Sequence, residues 1–282
     1  MFDALAAEAL KFSRHKATWF LVWIYPIGLV AIFLLMMSGN LVSDGPPEQP
    51  QLQKWLEDTA LVWGAPGNTL GRYLLAAFAA VVFAGEYGWN TWKLIVPHRG
   101  RSSLIAAKYT LILLLFLATF TLSAIITVLG SMLEDVISGD TLPAGITVGA
   151  LLEVHGKAAL ASLAPGLVTL GYASLAAILT RSTIAALVIS IVAITVEQLA
   201  FNFAPVFDMR APGLVWILTH VLPGYHLANI ETWIGTGASL VTPLPKSGVV
   251  TLSVATSAAA AAAWIVGLVA LVFASFRRQD IN

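Results

Sequence analysis

The sequence predicts an all-α membrane protein with six transmembrane helices, and three observations carry that prediction. Of its 282 residues, 58% are hydrophobic and 11% charged, where a soluble domain carries about 25% charged residues. Its mean hydropathy is +0.85. Six apolar runs are each long enough to cross a hydrocarbon core of about 30 Å. None alternates with the period of two that barrel strands require, so each satisfies its own backbone as a helix. No cysteine is present, which excludes a disulfide framework and thiolate chemistry.

Taken in order, residues 1–16 contain FDALAAEALKFSRHK, an amphipathic helix with bases at its end. The run from Thr18 to Met37 follows. A signal peptide's apolar region is about 7–15 residues and ends at a small-residue site. This run is longer and lacks such a site, so it reads as a retained first span at about 18–38. Residues 39–68 hold the Pro-rich GPPEQPQ and a short helical piece, QLQKWLEDTALVW. Four spans follow, at about 70–86, 104–133, 157–180 and 183–204. Within 205–248 the apolar run 213–222 is too short to cross, and Pro223 and Gly224 break it. Such a segment either re-enters the membrane or caps its outer face. The last span covers about 249–276. No internal repeat is evident, so 1–282 reads as a single domain.

Lys and Arg set the orientation. With both termini in the cytoplasm, the inner segments hold Lys11, Arg14, Lys16, Lys93, Arg99, Arg101, Lys108, Arg181, Arg277 and Arg278. The outer ones hold Lys54, Arg72, Lys157, Arg210 and Lys246. Acids show the opposite bias: Asp44, Glu48, Glu57, Asp58, Glu134, Asp135, Asp140, Glu153, Asp208 and Glu231 fall outside.

Several chemistries find no support. The phosphate-cradling G-x-x-x-x-G-K-[ST] is absent, as are H-E-x-x-H and G-x-S-x-G. His220 and His226 flank a proline and could be metal ligands or interfacial loop histidines. We therefore assign no catalytic, cofactor-binding or metal residue, and no nucleic-acid partner.

The segment 85–108, GEYGWNTWKLIVPHRGRSSLIAAK, joins spans two and three on the cytoplasmic side. Trp89, Trp92 and Ile95–Val96 recur at helical spacing, and Pro97 ends the pattern. Either a short helix lies flat at the headgroup level, or this is a basic loop with tryptophan anchors. Glu86 ends span two, Thr91 follows five residues on, and Pro97, Arg101 and Lys108 lead into span three. In this pattern the chain resembles the permease subunits of ABC-2 type transporters. The layout agrees along the whole chain: the amphipathic start, six spans, and LPGYHLANIETWI as a broken hairpin before span six.

The resemblance implies that the first cytoplasmic loop is a coupling helix docking on a separate P-loop ATPase, in two copies. Trp89, Trp92, Leu94 and Ile95 would supply apolar contacts; Lys93, Arg99 and Arg101 would supply polar ones. Glu86 would sit at the hinge, paired with a nearby Arg or Lys, while Lys108 opens span three. The helix Asp3–Lys16 would brace the same interface. ATP and Mg would belong to the ATPase, and a second permease, identical or homologous, would complete the path. The resemblance also implies a bacterial cytoplasmic membrane and export, and the sparse charge along the spans points to an apolar or amphipathic cargo such as a peptide, drug or lipid.

For the path itself the candidates are Trp23, Glu197 and Phe201, the two aromatics either lining an apolar passage or facing lipid and the interface. Glu197 lies inside a span, where an ionised carboxylate costs roughly 2.5–3.5 kcal/mol. It is either a polar point in the path or an acid wetted from the outer surface beside Gln198 and Asn202. Arg72 reads as a snorkelling residue. Pro26 and Pro165 should kink their helices. Two other classes compete: a motor-independent secondary transporter or channel, and a membrane scaffold or immunity protein that sequesters a toxic peptide. Transport by reconstituted vesicles with and without ATP separates them.

Overall fold

A computed structural model describes residues 2–40, 51–88, 91–96 and 100–280. In chain order they form α1 (Phe2–Ser13), α2 (Lys16–Asn40), α3 (Leu52–Ala60), a 3-10 turn (Leu61–Gly64), α4 (Thr69–Gly88), α5 (Trp92–Ile95), α6 (Arg101–Ser138), α7 (Val148–Thr180), α8 (Thr183–Asn202), α9 (Ala204–Arg210), α10 (Pro212–His220), α11 (Pro223–Thr236), β1 (Val241–Leu244), β2 (Gly248–Thr251) and α12 (Val254–Arg278). Among the described residues, six helices are long and apolar enough to cross a membrane: α2, α4, α6, α7, α8 and α12.

Local chemistry sets their ends. Thr147, Ser182 and Ser253 cap α7, α8 and α12 by accepting from the N–H of Ala150, Ala185 and Thr256. Gly139 and Gly237 close α6 and α11 in the left-handed region that a side chain resists. Prolines open α10 and α11, where a missing N–H costs nothing.

Three boundaries differ from expectation. Helix α7 starts at Val148 rather than near 157, because Thr147 caps it beyond the apolar run. Helix α6 extends to Ser138, past the expected 133. Residues 249–251 are not the start of the last span; they pair with β1 in a two-stranded antiparallel hairpin, Val241 opposite Thr251.

The core lies where α4 and α7 meet, flanked by α8, α6 and α12. Helix α4 buries Ala76, Ala79, Ala80, Val82 and Phe83. Gly171 marks the close approach of α7 to α12: an added Cβ would lie 2.8 Å from Leu268. At one end of the bundle, α3 and the 3-10 turn are tied across three spans. Tyr25 donates to the Val62 carbonyl, Trp55 to Asp135 and Trp63 to His155. The hairpin and α9–α11 share that end, following α8 and preceding α12. Helices α1 and α5 and the C-terminal end of α12 occupy the other. The expected GPPEQPQ segment falls mostly outside the described residues.

Candidate functional site

Helix α4 carries a charge near each end, and both are buried. At its C-terminal end Glu86 is fully enclosed. Lys108, on the first turns of α6, reaches it at 2.8 Å. The same ammonium donates to Glu8 of α1 and to the Val82 carbonyl, each at 3.0 Å. An ammonium has three protons, so these partners satisfy it. Lys11 of α1 also pairs with Glu86, as does the Thr91 hydroxyl, and the Thr91 N–H donates to the Glu86 carbonyl at 3.1 Å. One carboxylate thus joins α1, α4, α6 and, through Thr91, the elbow, the segment 89–100 that links α4 to α6.

Trp92 packs against this cluster rather than facing outward. It is 2% exposed. Its ring lies 4.5 Å from Phe276 and 5.9 Å from Tyr87, with the Lys108 ammonium 5.2 Å from its centre. Arg101 directs its guanidinium at the last carbonyls of α12, those of Phe276, Arg277 and Gln279, at 3.1, 2.9 and 2.6 Å. A cation belongs at a helix C-terminus, where unpaired carbonyls gather negative charge. Gln279 then ties this end to α4 and α7, accepting from Tyr87 and donating to the Ile178 carbonyl.

Near the N-terminal end of α4, Arg72 is 2% exposed and holds Glu197 of α8 with two parallel bonds of 2.5 and 3.1 Å. Its Nε donates to Thr169 at 2.8 Å, and the Tyr172 hydroxyl donates to Glu197 at 3.1 Å. Arg72 is therefore no snorkelling residue: its charge is satisfied inside the bundle. A polar cleft of about 270 Å³ borders this pair, lined also by Asn68, Gln198, Phe201 and Asn202.

A family model described as ABC-2 family transporter protein matches residues 4–197. The chain belongs to this family. The matched stretch runs from α1 through both charge clusters to Glu197 itself. No curated protein and no solved structure matches the chain. It is thus a multi-pass membrane permease component of an ABC transporter, of a kind that works with an ATPase subunit.

The structure of this ABC-2 permease separates residues that the sequence grouped. Glu86, Trp92, Arg101 and Lys108 come together around the elbow, but their contacts are internal. The ring of Trp92, expected to supply an apolar contact to a partner, is enclosed by its own chain. Lys93 is exposed. Trp89 and Arg99 lie outside the described residues, as do the side chains of Leu94 and Ile95. Trp23 does not share a cavity with Glu197 and Phe201. It stacks on Trp19 at 5.3 Å and lines a groove between α1, α2 and α6. Phe201 meets Tyr225 edge-on at 6.3 Å.

Sequence reading missed Glu8, Gln279, Thr169 and Tyr172. Glu8 carried a signal: it is an acid in the middle of an amphipathic helix, three residues before Lys11. The others carried none, since their roles depend on which helices meet. His226 offers no open ligand position: its ring nitrogens contact Ser257 and the His220 carbonyl, and burial makes it less basic than a free histidine.

Proposed function

We propose that this chain is the export permease of an ABC transporter and that a separate P-loop ATPase, binding ATP and Mg in two copies, drives it through the elbow at residues 89–100. The elbow and both termini face the cytoplasm in this reading. A second permease, identical or homologous, completes a path for an apolar or amphipathic peptide, drug or lipid. The supporting observation is the Glu86–Lys108 cluster, which joins the elbow to α1, α4 and α6 through buried bonds. Force applied at an exposed residue such as Lys93 would then move three helices together. Trp92 acts as a positioning residue that seats the elbow on α12. Arg72 and Glu86 are 14 positions apart, about 21 Å along α4 at 1.5 Å per residue. Tilting α4 would therefore strain the Arg72–Glu197 pair at the far end. Such transmission needs two discrete packings that the motor biases differently.

The absence of cysteine makes a direct test clean. A Lys93→Cys chain should react with a membrane-impermeant maleimide only from the cytoplasmic side, and bound ATPase should protect it. In vesicles, transport should require the ATPase and nucleotide. Labelling from outside, or transport without the ATPase, would overturn the proposal.

A further inference from the structure

We propose that the groove between α1, α2 and α6 is a binding site for one anionic glycerophospholipid, its acyl chain in the groove and its phosphate at the α1–α2 corner. This rests only on the spans crossing a bilayer, not on the coupling role proposed above. The groove has a volume of about 320 Å³. Phe12 comes from α1, Trp19, Trp23 and Pro26 from α2, and Leu111 and Leu122 mark its extent along α6. Ser13 and Thr119 are the polar side chains on its wall. From Leu111 to Leu122 it runs about 16 Å at 1.5 Å per residue. A groove of that length with an apolar wall suits a hydrocarbon chain.

Two features make the groove a built site. Pro26 cannot donate to the Val22 carbonyl and its ring crowds that turn, and both residues line the groove. Trp19 donates from its indole to the Ser13 carbonyl at 2.7 Å, which fixes the corner between α1 and α2. Charge identifies the headgroup. Arg14 and Lys16 occupy that corner, between the lining residues Ser13 and Trp19. Both are exposed, and neither forms an ion pair with any described carboxylate. The nearby acids Glu8 and Glu86 are already held by Lys11 and Lys108. A phosphate with no balancing cation complements this corner; the zwitterionic choline headgroup does so less well.

The test uses the purified full chain in mild detergent with an equimolar mixture of phosphatidylglycerol and phosphatidylcholine. Native mass spectrometry reads the lipid retained per chain. The wild-type chain should retain the glycerol lipid in preference. Replacing Arg14→Gln and Lys16→Gln should reduce that preference by about fivefold for each cation removed. Ala118→Trp, which fills the groove wall, should lower retention of both lipids severalfold. Leu114→Trp, on the exposed face of α6 outside the groove, should leave retention unchanged. Retention at the bulk ratio by the wild-type chain would overturn the proposal. So would unchanged retention in Ala118→Trp, an equal loss in Leu114→Trp, or a double Gln variant that keeps its headgroup preference.

Discussion

The two buried charge clusters on α4 solve the same problem in different ways. At Arg72 a planar guanidinium grips Glu197 with two bonds, and Thr169 and Tyr172 complete the set. Every partner comes from a membrane-spanning helix. At Glu86 the cations are two lysines, one fully buried and one 26% exposed, and the anions are two glutamates. Two of those four groups sit on α1. A guanidinium fork demands one geometry, whereas ammonium groups are point charges on flexible stems. The first cluster is thus suited to hold one packing of α4, α7 and α8. The second is suited to keep its bonds while α1 and the elbow shift. If the bundle has two packings, the Arg72 end must break and the Glu86 end must bend.

The sharpest way to break this contrast is to remove Glu197. Glu197→Ala leaves a guanidinium buried without its anion, and breaking such a pair costs about 3–5 kcal/mol. The thermal unfolding midpoint in detergent should fall more than for any other variant considered. Arg72→Lys should not behave as a conservative change, because one ammonium cannot make the paired bonds. Replacing both, Arg72→Met with Glu197→Leu, should recover most of the loss, since a well-packed apolar pair of similar volume is often neutral. If Arg72→Lys is as stable as wild type, the fork geometry is irrelevant and the comparison fails.

Lys108→Met comes next, with an expected loss of about 3 kcal/mol, the low end for a broken buried pair. The loss is smaller than at Glu197 because Lys11 still reaches both Glu86 and Glu8. The check is a double-mutant cycle with Lys11→Ala. Coupling between the two lysines should be large, because each compensates for loss of the other. Additive losses would mean that the cluster does not share its charge.

This difference bears on what could be read from sequence. The spans were legible because each is a long apolar run, a property local to its own residues. The Glu86–Lys108 partnership was half legible. The resemblance placed Glu86 at the hinge ending span two and Lys108 at the opening of span three, and implied a basic partner for Glu86, but not which one. Arg72 was misread, because its exposure depends on where α7 and α8 lie, which no window around residue 72 contains. The same holds for Trp92: spacing showed an aromatic in a polar loop, and only the position of Phe276 on α12 decides that its ring is buried. The β-hairpin escaped notice because a run of small and branched residues after 248 continues into the apolar pattern of α12.

Two smaller effects sharpen the elbow side. Arg101→Ala removes the cation from three terminal carbonyls of α12. It should cost about 1–2 kcal/mol and raise hydrogen exchange at residues 276–280. If exchange rises equally at the far end of α12, the effect is global and Arg101 does not act on this end. Lys11→Ala alone should cost about 0.2–1 kcal/mol, as for a partly solvated pair, provided Lys108 keeps Glu86 satisfied. A loss as large as that of Lys108→Met would invert the roles assigned to the two lysines.

The smallest expected effect on global stability comes from a carboxylate at the Arg72 end that needs no guanidinium. Asp208 of α9 accepts from the N–H groups of Lys246 and Ser247 at 2.5 and 3.0 Å, and from the Ser247 hydroxyl. Burial alone would raise its pKa; these donors outweigh that and hold it below the ordinary aspartate value. A lowered folded pKa adds stability that is fully present above the unfolded value of about 3.9. That stability fades as pH falls through the lowered value. Exchange protection of the hairpin at 241–251, corrected for intrinsic rates, should thus stay level from about pH 7 to about pH 5 and drop only in stronger acid. Asp208→Asn should weaken the hairpin at every pH and leave the unfolding midpoint of the spans unchanged. Protection already lost by about pH 5 would assign the turn to a group that titrates higher, such as Glu231, whose pKa burial raises. A shift in the span midpoint would show that this end is held from the hairpin as well as from the Arg72 fork.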